Sequence, residues 1–195
     1  MSGLIIGAQG LQRSGKTMIM YRIAKEIHDT TQIPVYTNLI TEEKNWHFIN
    51  SISEIPFNFE PKIVLIDEIY NGADAQNWKF LSEVSIFVNT IGKQNILFLY
   101  TTIDFNMVFN RIRTQNRYSI LVKADAKNIY YRVIDPQSMN MSDYKVQKNQ
   151  ELFSSLNYDH EYVPLKFDWN MKDFQSKLIK YYENHYPQLA KYIAN

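Results

Sequence analysis

Cysteine is absent from the 195 residues, which excludes disulfides and thiolate metal sites and fits a reducing interior better than a small secreted scaffold. An excess of either charge is lacking too: 21 Lys and Arg stand against 20 Asp and Glu, a formal net charge of +1. With no global basic field, contact with a nucleic acid needs a local patch or several subunits acting together. No apolar run reaches the roughly 18 to 20 residues of a membrane span. The first residues show no basic lead, apolar core and cleavage site, so neither a membrane protein nor an exported one is expected. Tandem repeats and low-complexity tracts are also missing. His28, His47, His160 and His185 are too dispersed to suggest a metal site. What is there, 45% hydrophobic and 21% charged residues, suffices for one globular domain with a sizeable core.

Along the chain, apolar strand patterns alternate with helical ones. Leu4 to Ile6 reads as a strand and Thr17 to His28 as a helix, with Met20, Ile23, Ala24 and Ile27 at helical spacing. Pro34 to Asn38 reads as a second strand whose polar end, Thr37-Asn38, points to a ligand face. Thr41 to Pro61 is mixed and reads as an irregular connection with one short helix. Ile63 to Ile66 is a continuous apolar run, as a parallel strand covered on both faces requires, and it ends abruptly in Asp67-Glu68. Ala75 to Ile91 reads as a helix, with Gly92 placed to end it in a left-handed conformation. Ile96 to Tyr100 is a buried strand and Phe105 to Arg113 a short helix. Tyr118 to Val122 and Ile129 to Val133 are joined closely enough to form an antiparallel hairpin. The stretch from Asp135-Pro136 to about Gln150 is polar, and helical amphipathicity returns from Met171 to His185. The expected fold is α/β, three layers with a mostly parallel central sheet and an antiparallel edge hairpin. Residues 1–135 would form its core, with 136–195 a partly helical appendage packed on the same domain.

Two places carry chemistry. Gly10-Leu11-Gln12-Arg13-Ser14-Gly15-Lys16-Thr17 matches G-x-x-x-x-G-K-[ST] at every fixed position, between a strand and a helix as that motif demands. At ordinary glycine usage the four fixed positions coincide by chance in only on the order of one chain in a hundred of this length, so the match is specific. The glycines let successive N–H groups point inward at phosphate oxygens, and the following helix adds its positive end. Lys16 supplies a mobile charge for the β- and γ-phosphates of ATP and Thr17 a hydroxyl for Mg²⁺. Asp67, at the carboxyl end of its strand, opens onto the same crevice and would hold the Mg²⁺ water shell. Glu68 is placed to orient and polarise the attacking water; the plain alternative is a solvated carboxylate after a strand.

These residues resemble the FtsK/HerA-type ATPases, and within them the small genome-packaging ATPases of membrane-containing viruses. The resemblance rests on Arg13-Ser14-Gly15-Lys16-Thr17, on Ile66-Asp67-Glu68, and on Ile91-Gly92-Lys93 leading into Ile96 to Thr102, and it covers roughly residues 3–123. Val35-Tyr36-Thr37-Asn38 is similar to the strand after the first helix in the zonula occludens toxin-like family of filamentous phage assembly ATPases, which usually carries a transmembrane segment. The packaging resemblance implies a glutamine near the end of the fourth strand as a γ-phosphate sensor, whereas this chain has Tyr100-Thr101-Thr102-Ile103-Asp104. Thr101 and Thr102 are the sensor candidates left, or plain sheet residues. The resemblance sets Arg111, Arg113 and Arg117 near a neighbouring subunit, as arginine-finger candidates or as a solvated face with a salt bridge to Asp104.

What the resemblance implies is a homo-oligomeric ring that hydrolyses ATP to move double-stranded DNA into a preformed capsid, in the host cytoplasm or associated with the virion, with capsid vertex proteins as partners. Lys123 and Lys127 could line its channel or simply solubilise the hairpin. The alternatives are an assembly and export ATPase of zonula occludens toxin type, a small nucleotide kinase, and a nucleotide-gated switch. The Asp67-Glu68 pair and the lack of an arginine-rich lid argue against the kinase.

Overall fold

The computed structural model describes residues 3–71, 81–159, 161–169 and 172–189. Its eight strands form one sheet in the order β3-β2-β4-β5-β1-β6-β7-β8. The strands are β1 (Leu4–Gln9), β2 (Val35–Thr37), β3 (Trp46–Phe48), β4 (Lys62–Ile66), β5 (Ile96–Thr102), β6 (Tyr118–Ala124), β7 (Asn128–Asp135) and β8 (Asn140–Gln147). Every pairing among the first six is parallel. The β6–β7–β8 ribbon is antiparallel, so the expected edge hairpin is present and gains a third strand.

Side-chain alternation builds three layers from this sheet. Ile63, Leu65, Leu97 and Leu99 face helix α1 (Lys16–Thr31), where they pack with Met20, Tyr21 and Ala24. Val64, Ile66, Phe98 and Tyr100 face helix α2 (Leu81–Thr90), where they pack with Val84, Phe87 and Val88. Both β4 and β5 are buried along their whole length. Their unbroken apolar runs follow from having a helical layer on each side.

Several boundaries differ from the sequence expectations. The part of the 75–91 helix before Leu81 lies outside the described residues. Gly92 does not end α2 in a left-handed conformation; Asn95 takes that role at φ 52°. The turn closes through the Gln94 N–H on the Thr90 carbonyl (2.9 Å) and the Ile96 N–H on the Ile91 carbonyl (3.1 Å). Asparagine tolerates the left-handed region better than most side chains. The single helix expected over Phe105 to Arg113 is instead a 3₁₀ turn at Phe105–Met107 and a short helix α3 (Asn110–Arg113). Asp104 caps the first turn by accepting from the Asn106 N–H, and the chain becomes extended at Val108 before the second begins. The irregular 41–61 segment holds edge strand β3 and one 3₁₀ turn at Ile52–Glu54.

Beyond β8 the chain wraps the β2–β3 edge. Helix α4 (Gln150–Ser154) and Leu156 lie on the α1 side, and Thr41 pairs with Tyr158 in an isolated antiparallel bridge. Asp168 then bridges to Ser51, which delivers Phe167 and Trp169 into the core on the α2 side. Helix α5 (Lys172–His185) follows, with Tyr181 packed edge-on against Phe57 and Phe59.

Candidate functional site

The interposition of β5 between β1 and β4 decides how the site is assembled. Ala8 and Gln9 register with Thr101 and Thr102, while Ile66 registers with Tyr100. Thr101 therefore stands between the loop that leaves β1 and the acidic pair that leaves β4.

The loop itself is shaped by close approach. A Cβ on Gly10 would clash with the Val122 carbonyl and come within 2.7 Å of the Ser14 hydroxyl, and Gly15 has φ 96° with Ile129 against it. Arg13 also takes a left-handed backbone, at φ 60°. Successive left- and right-handed residues point N–H groups to one side, the arrangement that cradles an anion. The Ser14 hydroxyl is buried with no hydrogen-bond partner among the described residues, so an acceptor from outside the protein would satisfy it. Lys16 is only 6% exposed and folds back to donate to the Leu11 carbonyl oxygen at 2.9 Å. Burial lowers its pKa, opposed by the nearby charges of Asp67 and Glu68.

Asp67 is the hub beneath this loop. One of its carboxylate oxygens accepts from the Thr17 hydroxyl at 2.8 Å and from the Thr101 hydroxyl at 2.6 Å. Burial raises its pKa, against those two hydrogen bonds, which favour the carboxylate. Asn38, just after β2, clamps its backbone, accepting from the Asp67 N–H (2.7 Å) and donating to its carbonyl (3.0 Å). Next to it Glu68 adopts φ 50°, held there by its N–H donating to the Thr101 hydroxyl (2.9 Å) while Asn71 donates to its carboxylate (3.2 Å). A left-handed glutamate is uncommon and re-aims its side chain at a strand end, a kind of strain that concentrates at functional sites.

Thr17 and Asp67 offer adjacent oxygens, the donor type that Mg²⁺ prefers. No group of three or more His, Cys, Asp or Glu suited to a metal occurs among the described residues. Such a pair fits an ion that keeps most of its ligands as water and phosphate oxygens.

The remaining candidates scatter. Thr102 donates to the Asp104 carbonyl oxygen, away from Asp67, so of the two threonines Thr101 is the one in the network. Arg111 is exposed. Arg113 is tied down locally, donating to Asn106 (2.7 Å) and Asn110 (3.1 Å), and Arg117 is ion-paired with Asp135, not with Asp104. Lys123 and Lys127 are exposed near the tip of the β6–β7 hairpin.

Sequence reasoning missed one wall of the site. A cavity of about 730 Å³ opens beside Arg13, Lys16, Thr17 and Glu68, and its far side is made by Phe153, Leu156, Tyr158 and Val163 of the wrapping segment. Burial and, secondarily, the Asp67 charge push the Tyr158 pKa up. Nothing in the pattern of residues 150–163 announces a place beside the loop. Asn38 did carry a signal, as a polar residue closing a strand on the ligand side.

Strand order, glycine loop and acidic strand end together define the P-loop nucleoside triphosphatase fold. Solved structures that share it include the N-terminal domain of zonular occludens toxin from Neisseria meningitidis, at a TM-score of 0.59, 15% identity, and coverage of 82% of this chain and 100% of that one. The genome-packaging NTPase B204 of Sulfolobus turreted icosahedral virus 2, in complex with ATP-gammaS, is similar at a TM-score of 0.57 and 8% identity, covering 73% of this chain and 97% of that one. A DnaB-like replicative helicase is similar at a TM-score of 0.54 and 8% identity, over 76% of this chain and 57% of the helicase. No protein-family profile and no curated protein matches the sequence. No helix among the described residues is long and apolar enough to cross a membrane.

Proposed function

We propose that the chain hydrolyses ATP with Mg²⁺ and does so as one subunit of an oligomeric ring that moves double-stranded DNA, packaging a viral genome into a preformed capsid. The observation that carries the catalytic part is the network in which Thr17, Asp67, Thr101 and the Glu68 backbone meet under a glycine loop. Lys16 exchanges the Leu11 carbonyl for phosphate oxygens, and the freed loop N–H groups and Ser14 hydroxyl bind the rest of the anion. Thr17 and Asp67 would hold the Mg²⁺, which neutralises charge on the phosphates when bound. Glu68 accepts a hydrogen bond from the attacking water and aligns it with the γ-phosphorus. Thr101 couples the two acidic residues, since its one hydroxyl touches both, and it stands where the resemblance would put a γ-phosphate sensor.

The DNA and capsid parts rest on the likeness to the packaging NTPase, with Lys123 and Lys127 as phosphate contacts repeated around the ring and Arg111 as the arginine freest to reach a neighbour's site. Such a ring would work in the host cytoplasm or on the virion at the capsid vertex. A second reading, an assembly and export ATPase, is favoured by the fuller coverage of the zonular occludens toxin domain. Steady-state hydrolysis over a protein concentration series, with and without double-stranded DNA and alongside the mass in solution, tests the translocase. Activity that rises with assembly and with DNA supports it. Oligomeric activity indifferent to DNA favours the export reading, and phosphate transfer to a nucleoside monophosphate would replace both with a kinase.

A further inference from the structure

The cavity beside the loop has two chemically different halves. One is lined by Gln12, Arg13, Lys16, Thr17 and Glu68 and suits phosphates; the other presents Met18, Ile129, Phe153, Leu156, Tyr158 and Val163. Its volume of about 730 Å³ is that of a pocket for a whole cofactor-sized ligand. Phe153 is 50% exposed and Val163 75% exposed, so two apolar side chains stand open to solvent within reach of a site built for charge. Neither is needed by the core, and what a phosphate chain leaves uncovered there is an apolar wall.

We propose that Phe153, Leu156 and Val163 form the seat of the nucleobase, and that this seat holds the base by its ring face without reading its hydrogen-bonding edge. The inference rests on the nucleotide reading above and adds to it a base subsite outside the glycine loop. Distinguishing adenine from guanine takes a donor and acceptor aimed at the ring edge. Among the described residues the apolar half has no carboxylate or side-chain amide; the polar groups that line the cavity beside it are the Tyr158 hydroxyl and the Lys148 ammonium, which already donates to the Asp125 carbonyl at 2.7 Å. Face contact is sequence-tolerant, because every base has a π surface.

The seat is fastened to the phosphate loop. Asn149 caps α4 by accepting from the Leu152 N–H at 2.8 Å, and Leu152 is buried against the α1 layer. The Tyr21 hydroxyl, on α1 itself, accepts from the Asn157 N–H at 3.2 Å, and the Tyr21 and Tyr158 rings meet at 4.9 Å. Base seat and phosphate loop thus sit on the same helix, which sets the distance between them before any ligand arrives.

The test is equilibrium binding of the full chain, with Mg²⁺, to ATP, GTP and inorganic tripolyphosphate in separate titrations. Wild type is expected to bind ATP and GTP within about tenfold of each other, and both more tightly than tripolyphosphate. Phe153→Ala should weaken ATP roughly tenfold, the factor for losing one stacking contact, while tripolyphosphate binding stays unchanged and Phe153→Tyr restores ATP. The base seat is overturned if Phe153→Ala and the Phe153→Ala/Val163→Ser double variant bind ATP like wild type, or if they lose ATP and tripolyphosphate together. Wild-type preference of more than about a hundredfold for ATP over GTP would overturn the face-only recognition. Wild type binding neither ATP nor tripolyphosphate would instead remove the nucleotide reading itself.

Discussion

Two buried lysines mark the two ends of the same sheet. Lys62, 2% exposed at the start of β4, donates to the carbonyl oxygens of Asn58 (2.9 Å) and Gln94 (3.2 Å), closing a loop end against the strand. Lys16, 6% exposed at the carboxyl ends of the strands, has one hydrogen-bond partner among the described residues, a carbonyl of its own glycine loop, and two carboxylates close by. Burial lowers both pKa values, that of Lys62 to about 8. The similar burial and unequal partnership teach that desolvation alone does not tell the two lysines apart; the company of an orphan hydroxyl, a left-handed glutamate and acidic side chains does, and it supports Lys16 as the proposed phosphate ligand.

The sharpest way to test the contrast is to disable the working end without touching the fold. Glu68→Gln should cut ATP hydrolysis by about 10²- to 10⁴-fold, the range for losing a general base, while ATP binding measured by titration is kept. Full turnover by this variant would return Glu68 to a solvated carboxylate. Lys16→Ala should weaken ATP by roughly ten- to a hundredfold, as expected for charge-assisted hydrogen bonds, with the melting temperature little changed. Lys62→Met should leave ATP affinity where it was; an equal loss in both variants would erase the distinction between the two ends.

Thr101→Val removes a hydrogen bond that favours the charged form of Asp67, so the Asp67 pKa should climb further and the acid limb of the pH–activity profile should move to higher pH. Hydrolysis at neutral pH should fall by about tenfold, the cost of one hydrogen bond to a charged group. The smallest effect belongs to Lys62. Its folded-state pKa of about 8 lies below the ordinary lysine value of 10.5, so the unfolded chain binds more protons between those values and stability rises with pH across that window. Denaturant unfolding followed upward through that window should show wild type gaining stability relative to Lys62→Met. Parallel curves would mean that the Lys62 ammonium is not penalised by its burial.

The working end was the more legible of the two. The glycine loop and the acidic strand end are local patterns, and the assembled strands bring the two together. Thr101 was visible only as one of two equivalent threonines, because the register of β5 against β4 decides which one meets Asp67. Strand β8 left no trace, since its residues are exposed on both faces except Val146 and so show no apolar alternation. The cavity wall at residues 153–163 was hidden for a different reason. Its side chains act by where the chain carries them, through bridges such as Thr41 to Tyr158, and spacing along the sequence holds no record of that.

That wrapping path gives the site a timetable. The phosphate loop is made first, whereas the segment that completes its pocket is synthesised more than a hundred residues later and is fastened to α1 through Tyr21 and Asn157. Domains fold as units during synthesis, so an emerging chain carries the whole glycine-loop motif well before the cavity beside it is complete. Release of the wrapping segment, not the appearance of the motif, is the event that completes the cavity beside the loop.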